Sequence, residues 1–164
     1  MKNRLYKAGA IAMACTLTSG ISVADDVANM LVTANVAPSC QLNSVPTIAF
    51  GTLNPLTDND TQGDIVWVCT AGTNTVIELD GGGSGSILAR TMAGTATTLP
   101  YQLYTDAGRS QVFGDGTTGN SVGVSGTGYA SPDTVTVYGR VAQTDAQAAQ
   151  NGNYNDTVVV TIVF

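Results

Sequence analysis

Residues 155–164 read Asn-Asp-Thr-Val-Val-Val-Thr-Ile-Val-Phe. Val158, Val160, Ile162 and Phe164 fall on one side of this run, a period of two that predicts a β-strand. Chain ends ordinarily fray. A run that stays apolar to its last residue therefore predicts a partner that covers its side chains and pairs its backbone N–H and C=O groups.

The same period recurs upstream. Asp133–Val141 alternates Val135, Val137, Gly139 and Val141, and Leu99–Thr105 alternates Leu99, Tyr101 and Leu103. Shorter apolar runs predict strands over Thr75–Asp80, Asp64–Thr70 and Thr47–Leu53. Between them lie turns rich in Gly, Asn, Asp and Thr. Helical periodicity is confined to a single turn at Asp145–Gln150, ended by Asn151-Gly152. Many short strands without intervening helices predict an all-β antiparallel sandwich or barrel.

The amino-terminal side carries a second strand-like stretch. Ala28, Met30, Val32, Ala34 and Val36 share one face, Asn29, Thr33 and Asn35 the other with Leu31 an exception, and Pro38 closes the run. Such a strand finds its neighbour either in its own sandwich or on an exposed edge of another subunit. The pattern alone leaves both open.

Before that stretch, Lys2, Arg4 and Lys7 precede an apolar run over residues 8–17 and the small residues Ser22-Val23-Ala24. This three-part order predicts a secretory signal peptide over residues 1–24. Its apolar run is too short for a stable membrane span, and Cys15 reads as a small apolar residue of the leader. Charge then divides unevenly. The whole chain has 164 residues, six Lys and Arg, twelve Asp and Glu, a net charge of −6 and no histidine. Residues 25–164 keep three basic residues (Arg90, Arg109 and Arg140) against all twelve acidic ones, a net −9 with no lysine.

These counts exclude several classes of function. Without histidine there is no Ser-His-Asp or Cys-His pair, and the missing histidine, with a single glutamate, disfavours an enzyme. No His/Cys cluster suits zinc, and an acidic chain is a poor nucleic-acid binder. The missing lysine also excludes lysine–asparagine isopeptide links. Asp58–Asp64 fits an EF-hand register at several positions, but Cys69 stands where the twelfth-position Glu belongs. A solvated acidic loop is expected there instead, with no metal. Gly81–Ser86 lacks the Gly-Lys-Ser/Thr of a phosphate cradle, so a flexible loop and no cofactor are expected. Glu78 and Asp80 share a strand face and read as a solvent-facing pair. The tyrosines and Trp67 could stack on sugars, but in a sandwich they read as core or core-edge residues. The three arginines are expected to pair locally with carboxylates. Cys40 and Cys69, the two cysteines left after the leader, are expected to form one disulfide in an exported protein.

Several fragments taken in order resemble the spore coat U family, which includes the archaic chaperone–usher pilus subunits of Gram-negative bacteria. They are Cys40 followed by Phe50-Gly51; Gly63 with Val66-Trp67-Val68-Cys69; Leu79-Asp80-Gly81-Gly82; and Arg90 with Met92. Further on stand Leu99-Pro100-Tyr101-Gln102-Leu103-Tyr104 with Asp106, then Phe113-Gly114-Asp115-Gly116, where the family often has Trp in place of Phe113. The most specific are Val137-Tyr138-Gly139-Arg140 and Gly152-Asn153-Tyr154-Asn155-Asp156-Thr157-Val158 running into Phe164.

The resemblance implies an immunoglobulin-like sandwich that lacks its last strand and is completed by donor-strand exchange. It implies residues 25–38 as a donor extension, with Ala28, Met30, Val32, Ala34 and Val36 facing the acceptor groove of the next subunit. Residues 39–164 would be the pilin domain, with Val158, Val160, Ile162 and Phe164 on one groove wall. Implied partners are other copies of the chain, a periplasmic chaperone and an outer-membrane usher, with no nucleic acid and no small-molecule substrate. The implied role is a surface fibre supporting adhesion and biofilm formation, with no catalytic residue. The alternatives are a spore or cyst coat protein of the same family and a sugar-binding adhesin module.

Overall fold

The computed structural model describes residues 25–164; the expected signal peptide lies outside the described residues. The described residues divide into two units between Ala34 and Asn35. In the first, residues 25–34 form no strand and are exposed along their whole length.

The second unit, Asn35–Phe164, holds nine antiparallel strands. These are β1 Cys40–Ser44, β2 Asn59–Cys69, β3 Asn74–Leu79, β4 Thr91–Ala93 and β5 Thr98–Pro100. They continue as β6 Gln102–Tyr104, β7 Val122–Ser125, β8 Asp133–Val141 and β9 Val160–Val163. One six-residue helix, α1 (Gln143–Ala148), covers most of the expected single turn. One sheet has the order β1-β2-β8-β6, a second β7-β3-β9, and β4-β5 form a hairpin.

The two larger sheets enclose the core because their strands alternate. On β2, Ile65, Trp67 and Cys69 are buried, and β8 contributes Val137 and Val141 to the same core. β3 supplies Ile77 and Leu79, joined by Leu99, Leu103 and Phe113. Burying each of these large apolar side chains stabilises the fold by about 1.5–3 kcal/mol. Cys40 and Cys69 are register partners across β1 and β2 and form the expected disulfide, 29 residues apart in sequence. A loop of that size is stabilised by about 3–4 kcal/mol in the chain-entropy picture.

The expected strands over 64–70, 75–80 and 133–141 match β2, β3 and β8, with β2 starting five residues earlier. Asn59–Asp64 is thus strand rather than acidic loop. Its carboxylates are engaged: Asp60 accepts two hydrogen bonds from Arg140, at 2.7 and 2.8 Å, and Asp64 accepts one from Thr136. The run 99–105 keeps its alternation but changes partner at Tyr101, because β5 pairs with β4 and β6 with β8. Residues 47–53 and 155–159 are the largest departures. Both alternate in burial, yet neither joins a continuous ladder.

Candidate functional site

Those two ladderless segments face one another across an open groove of about 990 Å³. Its floor is apolar and comes from the sandwich core: Ile65, Leu79, Leu99, Leu103 and Val137, with Tyr101 and Met92 beside them.

The first wall is residues 45–53. Pro46, Ile48, Phe50 and Leu53 are half-buried while Thr47, Ala49 and Thr52 are exposed, the alternation of a strand. Among the described residues, no hydrogen bond reaches the backbone of residues 46–53. Side-chain packing alone holds this wall. It fits closely because two glycines stand beneath it on the inner face of β2 and β8. A Cβ added at Gly139 would lie 2.9 Å from Ile48 Cγ2 and 3.1 Å from Phe50 Cζ. One added at Gly63 would lie 2.6 Å from Pro46 Cβ.

The second wall is residues 153–160, and it is braced from behind. Asn155 exchanges two backbone hydrogen bonds with Ala93, at 2.8 and 3.0 Å. Val159 donates its N–H to Asp80 Oδ1 at 2.9 Å and accepts one from Asp80 N at 3.2 Å. β9 then continues along β3. Residues 155 and 159 thus spend their backbone groups on the scaffold. In an extended chain, successive residues point these groups to opposite sides. Those of Asp156 and Val158 have no partner among the described residues and point toward the groove. Val158 and Val160 line the groove. Ile162 is half-buried against the core, and Phe164 is 59% exposed.

A partly buried polar knot fixes the second wall. Asp156 Oδ2 accepts a 2.6 Å hydrogen bond from the Tyr101 hydroxyl, and Asp156 Oδ1 accepts one from Gly83 N. Burial and that hydrogen bond push the Tyr101 hydroxyl well above the usual phenol range. Asp80 Oδ1 also caps Gly82 N. The expected flexible loop at 81–86 is therefore a short 3₁₀ turn over Gly82–Ser84, pinned by two carboxylates.

Arg90 completes the knot and departs from the expected carboxylate pairing. Fully buried, it donates to the carbonyls of Asp80, Ile87 and Phe113 and to Gln102 Oε1. Burial draws its guanidinium below the usual value. Arg109 and Arg140 do pair, both with Asp60 and Arg140 also with Asp58.

The structure thus brings Val158 and Val160 to the groove. Ala28, Met30, Val32, Ala34 and Val36 are exposed and outside any strand. Sequence reasoning did not anticipate the Tyr101–Asp156 contact or the seat formed by Gly63 and Gly139. A glycine inside an alternating strand is the signal that marks such a close approach. Among the described residues no cluster of three metal-ligating side chains occurs, and no helix is long and apolar enough to cross a membrane. The groove offers apolar surface and unpaired backbone, which suits an extended peptide.

Comparison with known proteins agrees with this architecture. A chain of the crystallised CsuC–CsuE chaperone–tip adhesion subunit pre-assembly complex, from archaic chaperone–usher Csu pili of Acinetobacter baumannii, superposes with a TM-score of 0.55 at 19% identity. The match covers 79% of this chain and 40% of that one, and it supports an immunoglobulin-like sandwich. Protein U of Myxococcus xanthus is 34% identical over 164 residues, covering 89% of each chain. The family model described as Spore Coat Protein U domain matches residues 26–161, and the chain belongs to that family.

Proposed function

We propose that the chain is a structural subunit of a surface fibre, built by inserting the amino-terminal extension of one copy into the groove of the next. The observation that carries this reading is the groove itself: an apolar floor between two extended walls with unpaired backbone groups on both sides. A strand laid there would pair that backbone and cover the floor. The chain supplies a suitable occupant. Val27, Met30, Leu31, Val32 and Val36 are 76–87% exposed, and residues 27–36 carry no charge. By their alternation, Ala28, Met30, Val32, Ala34 and Val36 face the groove floor. Val158, Val160, Ile162 and Phe164 form the receiving wall, with Phe164 covered only on occupancy.

A subunit with an open groove needs a temporary occupant before assembly. The likeness to a chaperone–subunit pre-assembly complex supports a periplasmic chaperone in that role, followed by transfer at an outer-membrane usher. Export through the periplasm agrees with the expected signal peptide, and attachment and biofilm formation would follow from display of the fibre. The family description favours a second setting for the same exchange, a spore or cyst coat.

Deleting residues 25–36 tests the central claim. The expected product, co-expressed with its chaperone, is a folded subunit that no longer forms ladders on a gel run without boiling. A deletion that abolishes folding with the chaperone present would show that this stretch belongs to the subunit's own sandwich. Adjacent chaperone and usher genes would separate the pilus setting from the coat.

A further inference from the structure

We propose that Gly63 and Gly139 are positioning residues that set the width of the groove, and hence its fit to the inserted strand. This rests on the strand-exchange reading above and names what tunes the site.

The first wall has no hydrogen bond to hold it over residues 46–53. Its place is fixed by how deeply Pro46, Ile48 and Phe50 sink onto the sheet. The inner face of β2 and β8 would normally present a side chain at every second residue. At Gly63 and Gly139 it presents none. The two sites adjoin, since Gly63 pairs with Val137 and Thr61 with Gly139. Together they form a notch, and the distances from an added Cβ to Pro46 and Ile48, 2.6 and 2.9 Å, show that the wall fills it completely. A methyl group in the notch lifts the wall, and the direction left open is toward the groove. Unlike the second wall, which is braced by Ala93, Asp80 and β3, the first wall has no ladder to resist the shift. The notch therefore governs occupant fit more than it governs folding.

The test uses as its reference the exported full chain carrying Met30→Asp, so that no groove is filled by a neighbouring copy, and, as probe, a fluorescent synthetic peptide of the natural residues 25–38; each variant below is made in that chain. Gly139→Ala is expected to keep its near-ultraviolet circular dichroism and to bind the peptide about tenfold more weakly. Adding Ile48→Ala, which removes the struck atom, should bring binding back to within about threefold of the reference chain. General damage would instead make the double variant bind more weakly than Gly139→Ala alone. Equal binding by Gly139→Ala and the reference chain overturns the proposal, as does a double variant that binds no better than Gly139→Ala. If Gly139→Ala does not fold, the double variant reads the same seat: recovery of folding with peptide uptake supports the proposal, and failure overturns it. A reference chain that ignores the peptide would instead sink the strand-exchange reading itself, and this proposal with it.

Discussion

The Tyr101 hydroxyl donates a 2.6 Å hydrogen bond to Asp156 Oδ2, joining residues 55 positions apart. Tyr101 stands at the groove floor and Asp156 in the second wall. This contact, with the Gly83 amide on the other carboxylate oxygen, holds the wall at the segment where its backbone leaves the ladder. Tyr101→Phe removes only the hydroxyl and leaves a partly buried carboxylate oxygen without its donor. The expected loss is about 1–3 kcal/mol of stability, read as a lower urea midpoint at unchanged slope.

Arg90 gives a sharper case. It is fully buried and its donors reach three carbonyls and one side-chain amide oxygen on different segments. Lysine keeps the charge but has a single nitrogen and no planar fork. Arg90→Lys therefore leaves several buried carbonyls unpaired and should cost at least about 3 kcal/mol. Denaturant titration of the exported protein checks this. A cost below about 1 kcal/mol would mean that the knot tolerates rearrangement.

Acid should weaken the fold over a defined window. The Arg140 hydrogen bond holds the Asp60 carboxyl below its ordinary value of 3.8. Backbone amides do the same: that of Gln111 for Asp106 and that of Thr118 for Asp115. A carboxyl whose folded value is depressed contributes stability that is present above the unfolded value and lost as pH falls through the folded one. Stability should therefore stay level from neutral pH to about pH 5 and decline below about pH 4. Asp115 is exposed and Asp60 and Asp106 keep part of their surface in solvent, so screening keeps the decline gentle. Thermal melts across this range check it. Asp60→Asn should flatten part of the slope.

The sequence made much of this fold legible, for physical reasons that differ by segment. β8 stands over the expected residues because β2 pairs it along its whole length, β6 pairs its other edge at Tyr138–Arg140, and its inner face is buried, so period two is enforced. The disulfide was legible from export and cysteine count. Thr47–Leu53 alternates like a strand and packs like one, yet has no ladder. Alternation reports which side chains are buried and does not report a hydrogen-bonding neighbour. Arg90 was misread because a lone arginine among carboxylates suggests an ion pair, whereas burial against three carbonyls depends on segments up to 23 residues away. The Tyr101–Asp156 contact spans 55 residues, and no local period encodes it. Gly139 was visible as a gap in the alternation of β8, but what fills the gap comes from the segment that joins β1 to β2, far away in the sequence.

Strand exchange makes each subunit both donor and acceptor, and the two roles can be broken separately. Met30→Asp places a carboxylate where the proposed donor enters an apolar groove. Val158→Asp places one in the receiving wall. Burying either unpaired charge costs several kcal/mol, enough to stop insertion. Each variant alone should stay a single subunit. Mixed, they have one compatible pairing: the intact extension of the Val158→Asp chain enters the intact groove of the Met30→Asp chain. That pair cannot grow, because its remaining extension carries Asp at 30 and its remaining groove carries Asp at 158. Size-exclusion chromatography with mass detection should show monomers separately and dimers of one-to-one composition on mixing. Long polymers from either variant alone would rule out these residues as the contact. Monomers only, from a mixture of two folded variants, would rule out insertion of this extension into this groove.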